Sequence, residues 1–468
     1  MNPGAGVLDR LAGALRELVE EASHRGRKSV VSVTCRSEVV DPVATVFASR
    51  RADDEWFCWE QAGGRESLAG LGTAEAVVSR GPHRFTDLAS ECAHLSGEAI
   101  VADLDDCSIR TGPVWLGGFA FDDDGGRRPE WIAFPPARMV LPELLLERSE
   151  GRTTMTVNLV VSGATDADSA VDGALTRVAG LVERDLPLLD PAPGSSTTIE
   201  SSGDPGHFER SVAEASRRIR AGRLDKVVLA RKVTLDSVVQ FDPAALFGAI
   251  REGFPSCFNF CVGTPESTFI GASPELLVSS EGRTVAAVGL AGSSRRSSDP
   301  AVDDHLGQRL LASPKDRSEH DFVVRRIVDS LARLSIWVEA APEPEVVKVA
   351  NIQHLATPVV AQLAEPKTAI ELAGKLHPTP AVGGEPWTEA RRVIDEVEGL
   401  DRGWYAGPVG WMDGSGDGVF CVALRSALLE GRKARLYAGV GVVADSDPEA
   451  ELAETEIKLD ALLPLLAD

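Results

Sequence analysis

No stretch of this 468-residue chain approaches the roughly 18 consecutive apolar residues that a membrane-spanning helix needs. The N-terminus, MNPGAGVLDRLAGALRELVEEASHRGRKS, reads as an amphipathic helix with acidic residues where a secretory leader would carry an apolar core. A cytoplasmic protein with no membrane partner is expected. Paired cysteines are also missing. Cys35, Cys58, Cys92, Cys107, Cys257, Cys261 and Cys421 are odd in number, scattered and without a CxxC pair, so neither a disulfide framework nor a zinc site is indicated. Cys257 and Cys261 share one face of the strand-like run CFNFCVG and read as buried free thiols. Positive charge is scarce. Forty-eight Lys and Arg stand against 71 Asp and Glu, a net charge of -23, so the surface repels polyanions and nucleic acid is not an expected partner. Any small anionic ligand would need a locally basic pocket. Repeats of fixed period are absent, and the nearest echo is YAGPVGW (405–411) beside YAGVGVV (437–443).

What is present is core material: 43% hydrophobic and 25% charged residues, ordinary for a globular protein and enough, at this length, for two to three domain-sized units. The Pro-, Ser- and Gly-rich stretch LPLLDPAPGSSTTIESSGDPG (186–206) reads as a linker between an N-terminal α/β half, 1–195, and a second half, 206–468. Strand-like runs in the first half include RKSVVSVTCR, VWLGGFAFD and MTVNLVVSG. In the second half they are DKVVLARKVTL, STFIGASPELLVSS, RTVAAVGLAGSS, YAGPVGWM, GVFCVALRSALL and ARLYAGVGVV. Helices are predicted near 207–221, 314–334, 366–375, 386–398 and 448–465. Strands that follow one another through short glycine turns such as DGSGDG (413–418) favour antiparallel pairing. The expected class is α+β, a large layered α/β sandwich with antiparallel sheets.

Two helices carry the chemistry. In SDPEAELAETEIKLDALL (446–463), Pro448 follows two capping residues, and Glu451, Glu454 and Lys458 stack on one face beside Leu452, Leu459 and Leu462. In SPKDRSEHDFVVRRIVDSL (313–331), Ser313 caps, Pro314 opens, and Asp316 and Glu319 repeat the i, i+3 spacing. An isolated pair of this kind is a solvated face or, for Asp316, part of a capping box. Two such helices can instead meet around a hard cation, and oxygen-only donors favour Mg²⁺ over Zn²⁺. Three further residues stay open between two readings. Lys226, inside LDKVVLAR, either snorkels to solvent or is a desolvated base. Glu275, in GASPELL, is a strand-end surface acid or a carboxyl raised by apolar neighbours. Arg425, inside CVALRSALL, requires an anionic partner, internal or bound. The run GVGVVA (439–444) has the letters of a dinucleotide fingerprint, but no helix follows it until Pro448, so its glycines read as places of close approach in a strand.

The ordered set DKVVLARK, FIGASPELLVS, LAGSSRR, SPKDRSEHDFVVRRIV, HLATPV, LHPTPAVGG, AGPVGWMD, VALRSALL and YAGVGVVADSDPEAELAETEIKL resembles the motifs of the chorismate-utilising enzymes, most closely the isochorismate synthases. The match spans Lys226 to Leu463; in the first half only GGFAFD (117–122) resembles the family. The resemblance implies a fold like anthranilate synthase component I, with 206–468 as the chorismate-binding half. It implies Mg²⁺-dependent isomerisation of chorismate to isochorismate, water adding at C2 as the C4 hydroxyl leaves, for menaquinone biosynthesis. Salicylate synthases and siderophore-pathway isochorismate synthases are the alternatives. By the same resemblance Lys226 is the general base and Glu275 the general acid. Glu319 and Glu454 hold Mg²⁺ with Asp316 and Glu451 supporting it from farther out. His354, Ala381, Val382, Tyr405, Leu424, Arg425, Gly439 and Lys458 surround the substrate. Ammonia-using relatives resemble one another in having glutamine where Lys226 stands, and some carry a nucleophilic lysine at the place of Ala291, so no glutaminase subunit is expected and the chain is expected as a monomer or weak homodimer. Val382 departs from the leucine of several isochorismate synthases, which bears on the shape of the water side of the pocket.

Overall fold

The computed structural model describes residues 5–64, 66–110, 112–163, 165–189, 198–201 and 205–467. Most of the linker-like stretch, 190–197 and 202–204, lies outside them. Among the described residues the strands form one sheet of thirteen and one of ten. The larger runs from Thr198–Ser201 through Lys226–Asp236, Lys433–Val442, Ser426–Glu430, Thr268–Ser273 and Phe258–Gly263 into Trp56–Glu60 and five further N-terminal strands. The smaller contains Ile352–Leu363, Thr284–Arg295, Leu276–Glu281, Gly418–Val422 and Pro408–Met412, and continues through Trp115–Phe119. Both sheets therefore draw strands from either side of 195–206, with Phe258–Gly263 bonded directly to Trp56–Glu60 and Pro408–Met412 to Trp115–Phe119. Pairing is antiparallel except between Ser29–Ser37 and Ile100–Asp103, which run parallel at the end of the larger sheet, and DGSGDG closes the hairpin between Pro408–Met412 and Gly418–Val422. Among the described residues no helix is long and apolar enough to cross a membrane.

The pleat explains the two cores. Side chains alternate across a strand, so Phe57 and Trp59 enter the core between the sheets with Trp115, Met139 and Phe420. Their neighbours Trp56 and Cys58 enter a second core under the helices Ala5–His24, Pro42–Ser49 and Pro243–Gly253. Because the larger sheet is covered on both faces, its strands read as continuous apolar runs. All seven cysteines are free and buried.

Three sequence runs behave differently from the simplest expectation. The C-terminal helix ends at Leu459, and a separate turn, Leu463–Ala467, follows. Pro464 would clash with the carbonyl of residue 460 if the helix continued through it. STFIGASPELLVSS is two strands in different sheets, because Pro274 has no amide to give a ladder. GVFCVALRSALL also divides between the sheets, at Arg425, whose φ of 45° lies in the left-handed region. The two crossings lie side by side. The Ala272 amide donates to the Arg425 carbonyl at 3.1 Å, and the Val422 amide to the Glu275 carbonyl at 3.0 Å. Two chain segments leaving one sheet for the other thus open a gap and deliver an acid and an arginine to it.

Candidate active site

The gap continues into a cleft of about 1000 Å³ of atom-free space, its solvent-open mouth included, and all fourteen residues singled out from the sequence line it: Lys226, Glu275, Asp316, Glu319, His354, Ala381, Val382, Tyr405, Leu424, Arg425, Gly439, Glu451, Glu454 and Lys458. They come from widely separated places in the fold. Lys226 opens the strand Lys226–Asp236, and Gly439 lies on its neighbour, Lys433–Val442. Asp316 and Glu319 sit in the first turns of Pro314–Ala332, which packs on Thr284–Arg295. Glu451 and Glu454 occupy the start of Pro448–Leu459, whose cap Asp447 accepts from the Ala450 amide. Lys458 lies farther along the same helix, the two crossings supply Glu275, Leu424 and Arg425, and His354, the loop 379–383 and the segment 402–406 supply the remainder.

Lys226 does not snorkel: it is 3% exposed, and its Nζ lies 3.5 Å from Glu319 Oε2. The space it fills exists because residue 441 is glycine; a Cβ there would stand 2.8 Å from Lys226 Cε. Glu275 is no surface acid either. It is 2% exposed, and burial pushes its carboxyl up to about 8, against the opposing pull of the Thr379 hydroxyl and the charges of Lys226 and Arg425. Thr379 Oγ1 donates to Glu275 Oε1 at 3.4 Å. At neutral pH this carboxyl therefore keeps its proton.

Arg425 makes no ion pair among the described residues; its Nη2 instead meets His354 Nε2 at 2.7 Å. Chemistry fixes the imidazole tautomer. The Gly292 carbonyl, 3.1 Å from His354 Nδ1, only accepts, so Nδ1 carries the proton; the guanidinium only donates, so Nε2 accepts. Burial, reinforced by Arg425 and Lys458, holds His354 well below its usual range and hence neutral. Arg425 Nε and Nη1 are buried without a partner. A buried guanidinium with idle donors and no carboxylate is arranged for an anion from outside.

On the two acidic helices, Lys458 Nζ lies 2.8 Å from Glu454 Oε1 and 2.9 Å from the Gly439 carbonyl, and Lys315 Nζ lies 3.9 Å from Glu451 Oε1. Burial raises the Glu451 carboxyl, helped by the charges of Glu454 and Glu319. Burial also works to raise Glu454, but Lys458 outweighs it and holds that carboxyl low. Among the described residues no three acidic, histidine or cysteine side chains converge into a cage. The donor set is nonetheless the kind Mg²⁺ takes, since that ion keeps its waters and is held through one or two carboxylates plus ligand oxygens.

Sequence reasoning missed Lys315, Arg402, Tyr437 and Gly441, which line the same cleft. Lys315 had a signal, lying one residue from Asp316. Tyr437 did too, since the chain has only two tyrosines, and both stack here with ring centroids 5.2 Å apart. Arg402 and Gly441 had none that spacing reveals.

The family model described as "Chorismate binding enzyme" matches residues 17–467. The isochorismate synthase MenF of Bacillus subtilis is 33% identical over 96% of this chain and 97% of its own length. The salicylate biosynthesis isochorismate synthase of Pseudomonas aeruginosa is 33% identical over 99% of this chain and 96% of its own. Among solved structures, the menaquinone-specific isochorismate synthase MenF of Escherichia coli covers 97% of this chain and 100% of its own, with a TM-score of 0.79 and 27% identity. A family match over nearly the whole chain, together with a third of residues shared end to end with such relatives, places this protein: it belongs to the chorismate-binding enzymes.

Proposed function

We propose that this chain is an isochorismate synthase, adding water to C2 of chorismate as the C4 hydroxyl leaves. One observation carries the reading: a buried lysine and a buried carboxylic acid raised to about 8 face one cleft whose idle guanidinium awaits an anion. End-to-end likeness to isochorismate synthases supports it.

In this reading Arg425, through Nε and Nη1, and Lys458 bind the substrate's carboxylates. That attraction must be local in a protein of net charge -23. Lys226, in its neutral form, takes a proton from the attacking water, so the oxygen reaches C2 as hydroxide. The C2–O bond forms, the ring double bond shifts, and the C4–O bond breaks with its electron pair. Glu275 protonates the departing hydroxyl, which leaves as water. The enzyme ends with a charged lysine and a carboxylate, and solvent returns the proton. Glu319 and Glu454 would hold Mg²⁺, with Asp316 and Glu451 supporting them. When bound, the ion supplies positive charge for a substrate carboxylate.

A lysine amine at position 226 accepts a proton from water, so the reaction needs no ammonia and no glutaminase partner. We place the product in menaquinone biosynthesis, on the likeness to the menaquinone-specific enzyme of Escherichia coli, and the enzyme in the cytoplasm, where its seven buried thiols stay reduced. The test is to incubate the enzyme with chorismate, Mg²⁺ and ammonium and to separate the products. Isochorismate is expected. Salicylate with equal pyruvate, or an aminated ring, would overturn the assignment.

A further inference from the structure

In the wall of the cleft, where Arg402 lines it, lies a charged pair with no part in the chemistry above. Arg402 and Glu398 have side chains only 3% and 1% exposed. They meet through both forks, Nε to Oε1 at 2.7 Å and Nη2 to Oε2 at 2.6 Å. Burying two charges is costly, and a well-packed apolar pair of similar volume commonly does as well for stability. What an apolar pair cannot do is give direction, and every remaining contact of this one is directional. Arg402 Nη1 donates to the Val382 carbonyl at 2.9 Å, and Nη2 to the Val228 carbonyl at 2.8 Å. Glu398 Oε2 accepts from the Ala230 amide at 2.8 Å. The guanidinium lies 4.1 Å above the centroid of the Phe121 ring, which holds its plane.

Those acceptors belong to two separate pieces of the site. Val228 and Ala230 follow Lys226 on its strand. Val382 sits in the loop 379–383, whose Gly383 carbonyl accepts from the Val228 amide at 2.8 Å and whose Thr379 hydroxyl rests on Glu275. The loop is therefore a bracket, tied to the lysine's strand at one end and to the acid at the other. The guanidinium clamps its middle.

We infer that Arg402, oriented by Glu398, is a positioning residue that fixes the loop 379–383 against the strand of Lys226 and thereby sets the distance between the lysine and Glu275. The inference rests on the reading of these two residues as base and acid. A planar five-donor fork specifies this geometry, whereas a lysine ammonium at the same place keeps the charge and loses the fork.

The test is Arg402→Lys in the full-length enzyme with Mg²⁺. The expected result is a kcat lower by about tenfold or more, because misplacing proton-transfer groups by a fraction of an ångström has that effect. KM for chorismate should change by less than about threefold, since the donors of Arg402 are spent on protein. A second readout separates this from general loosening. The groups facing Glu275 are the Thr379 hydroxyl, Lys226, Arg425 and the Cys421 thiol, and Arg402 is not among them. If the loop slips, the Thr379 hydrogen bond that favours the ionised carboxyl goes, and the alkaline limb of kcat moves to higher pH. Thr379→Val makes the same displacement directly and carries the test should Arg402→Lys not fold. A wild-type enzyme that forms no isochorismate would overturn both the function and this inference. A working wild type with unchanged kcat in Arg402→Lys, or an unmoved limb in Thr379→Val, would overturn the inference alone.

Discussion

Replacing Glu275 by glutamine should cost the enzyme its turnover and make it more stable. The substitution keeps the shape and leaves an oxygen to accept from Thr379, but an amide carries no transferable proton. Loss of a positioned general acid lowers kcat by about 10²–10⁴-fold. The stability effect follows from the same burial. The carboxyl is lifted from an ordinary 4.5 to about 8. A raised carboxyl pKa means the folded state holds its proton while the unfolded chain releases it. The folded form is therefore at no disadvantage below pH 4.5, and loses stability as pH rises until the folded group itself ionises near 8. At pH 7 the difference, 7 − 4.5, at about 1.4 kcal/mol per pH unit, is on the order of 3 kcal/mol. Glutamine escapes that penalty. Thermal unfolding of both proteins from pH 4.5 to 8 should show the Glu275→Gln curve rising relative to wild type as pH increases, while product chromatography shows the rate collapse. Parallel stability curves would mean the carboxyl is not desolvated, and retention of more than a few per cent of kcat would remove Glu275 from the reaction.

Glu319→Ala and Glu454→Ala should each abolish Mg²⁺-dependent turnover, checked by titrating Mg²⁺ into the apo-enzyme; full activity in excess EDTA would refute the metal assignment. Lys226→Ala should lose about 10²–10⁴-fold in kcat while equilibrium dialysis shows chorismate still bound; a rate near wild type would exclude the lysine as base. Gly441→Ala places a Cβ 2.8 Å from Lys226 Cε and 3.2 Å from Nζ. Because what it meets is the flexible end of a side chain, the melting temperature should barely move while kcat drops about tenfold, and an unchanged kcat would show that the lysine's position is not critical.

The local elements were legible in the sequence because each is specified by a few neighbouring residues. Proline behind a cap starts Pro314–Ala332 and Pro448–Leu459, and the i, i+3 acids share a face whatever surrounds them. The resemblance, in turn, named fourteen residues that do line one cleft. Other features depend on partners far away in the chain, and spacing carries no record of them. Whether Lys226 snorkels or is buried, and whether Glu275 is a surface acid or a protonated one, is decided by what packs on each. That packing joins Thr379 to Glu275, 104 residues apart, and Arg425 to His354, 71 apart. The division near 195–206 is visible as composition, yet both sheets run through it, because hydrogen bonding between Phe258–Gly263 and Trp56–Glu60 is indifferent to the chain between them. The two crossings that open the cleft read in sequence as unbroken apolar strands. Only pairing with different neighbours on either side of Pro274 and Arg425 turns them into the place where an acid and a guanidinium meet.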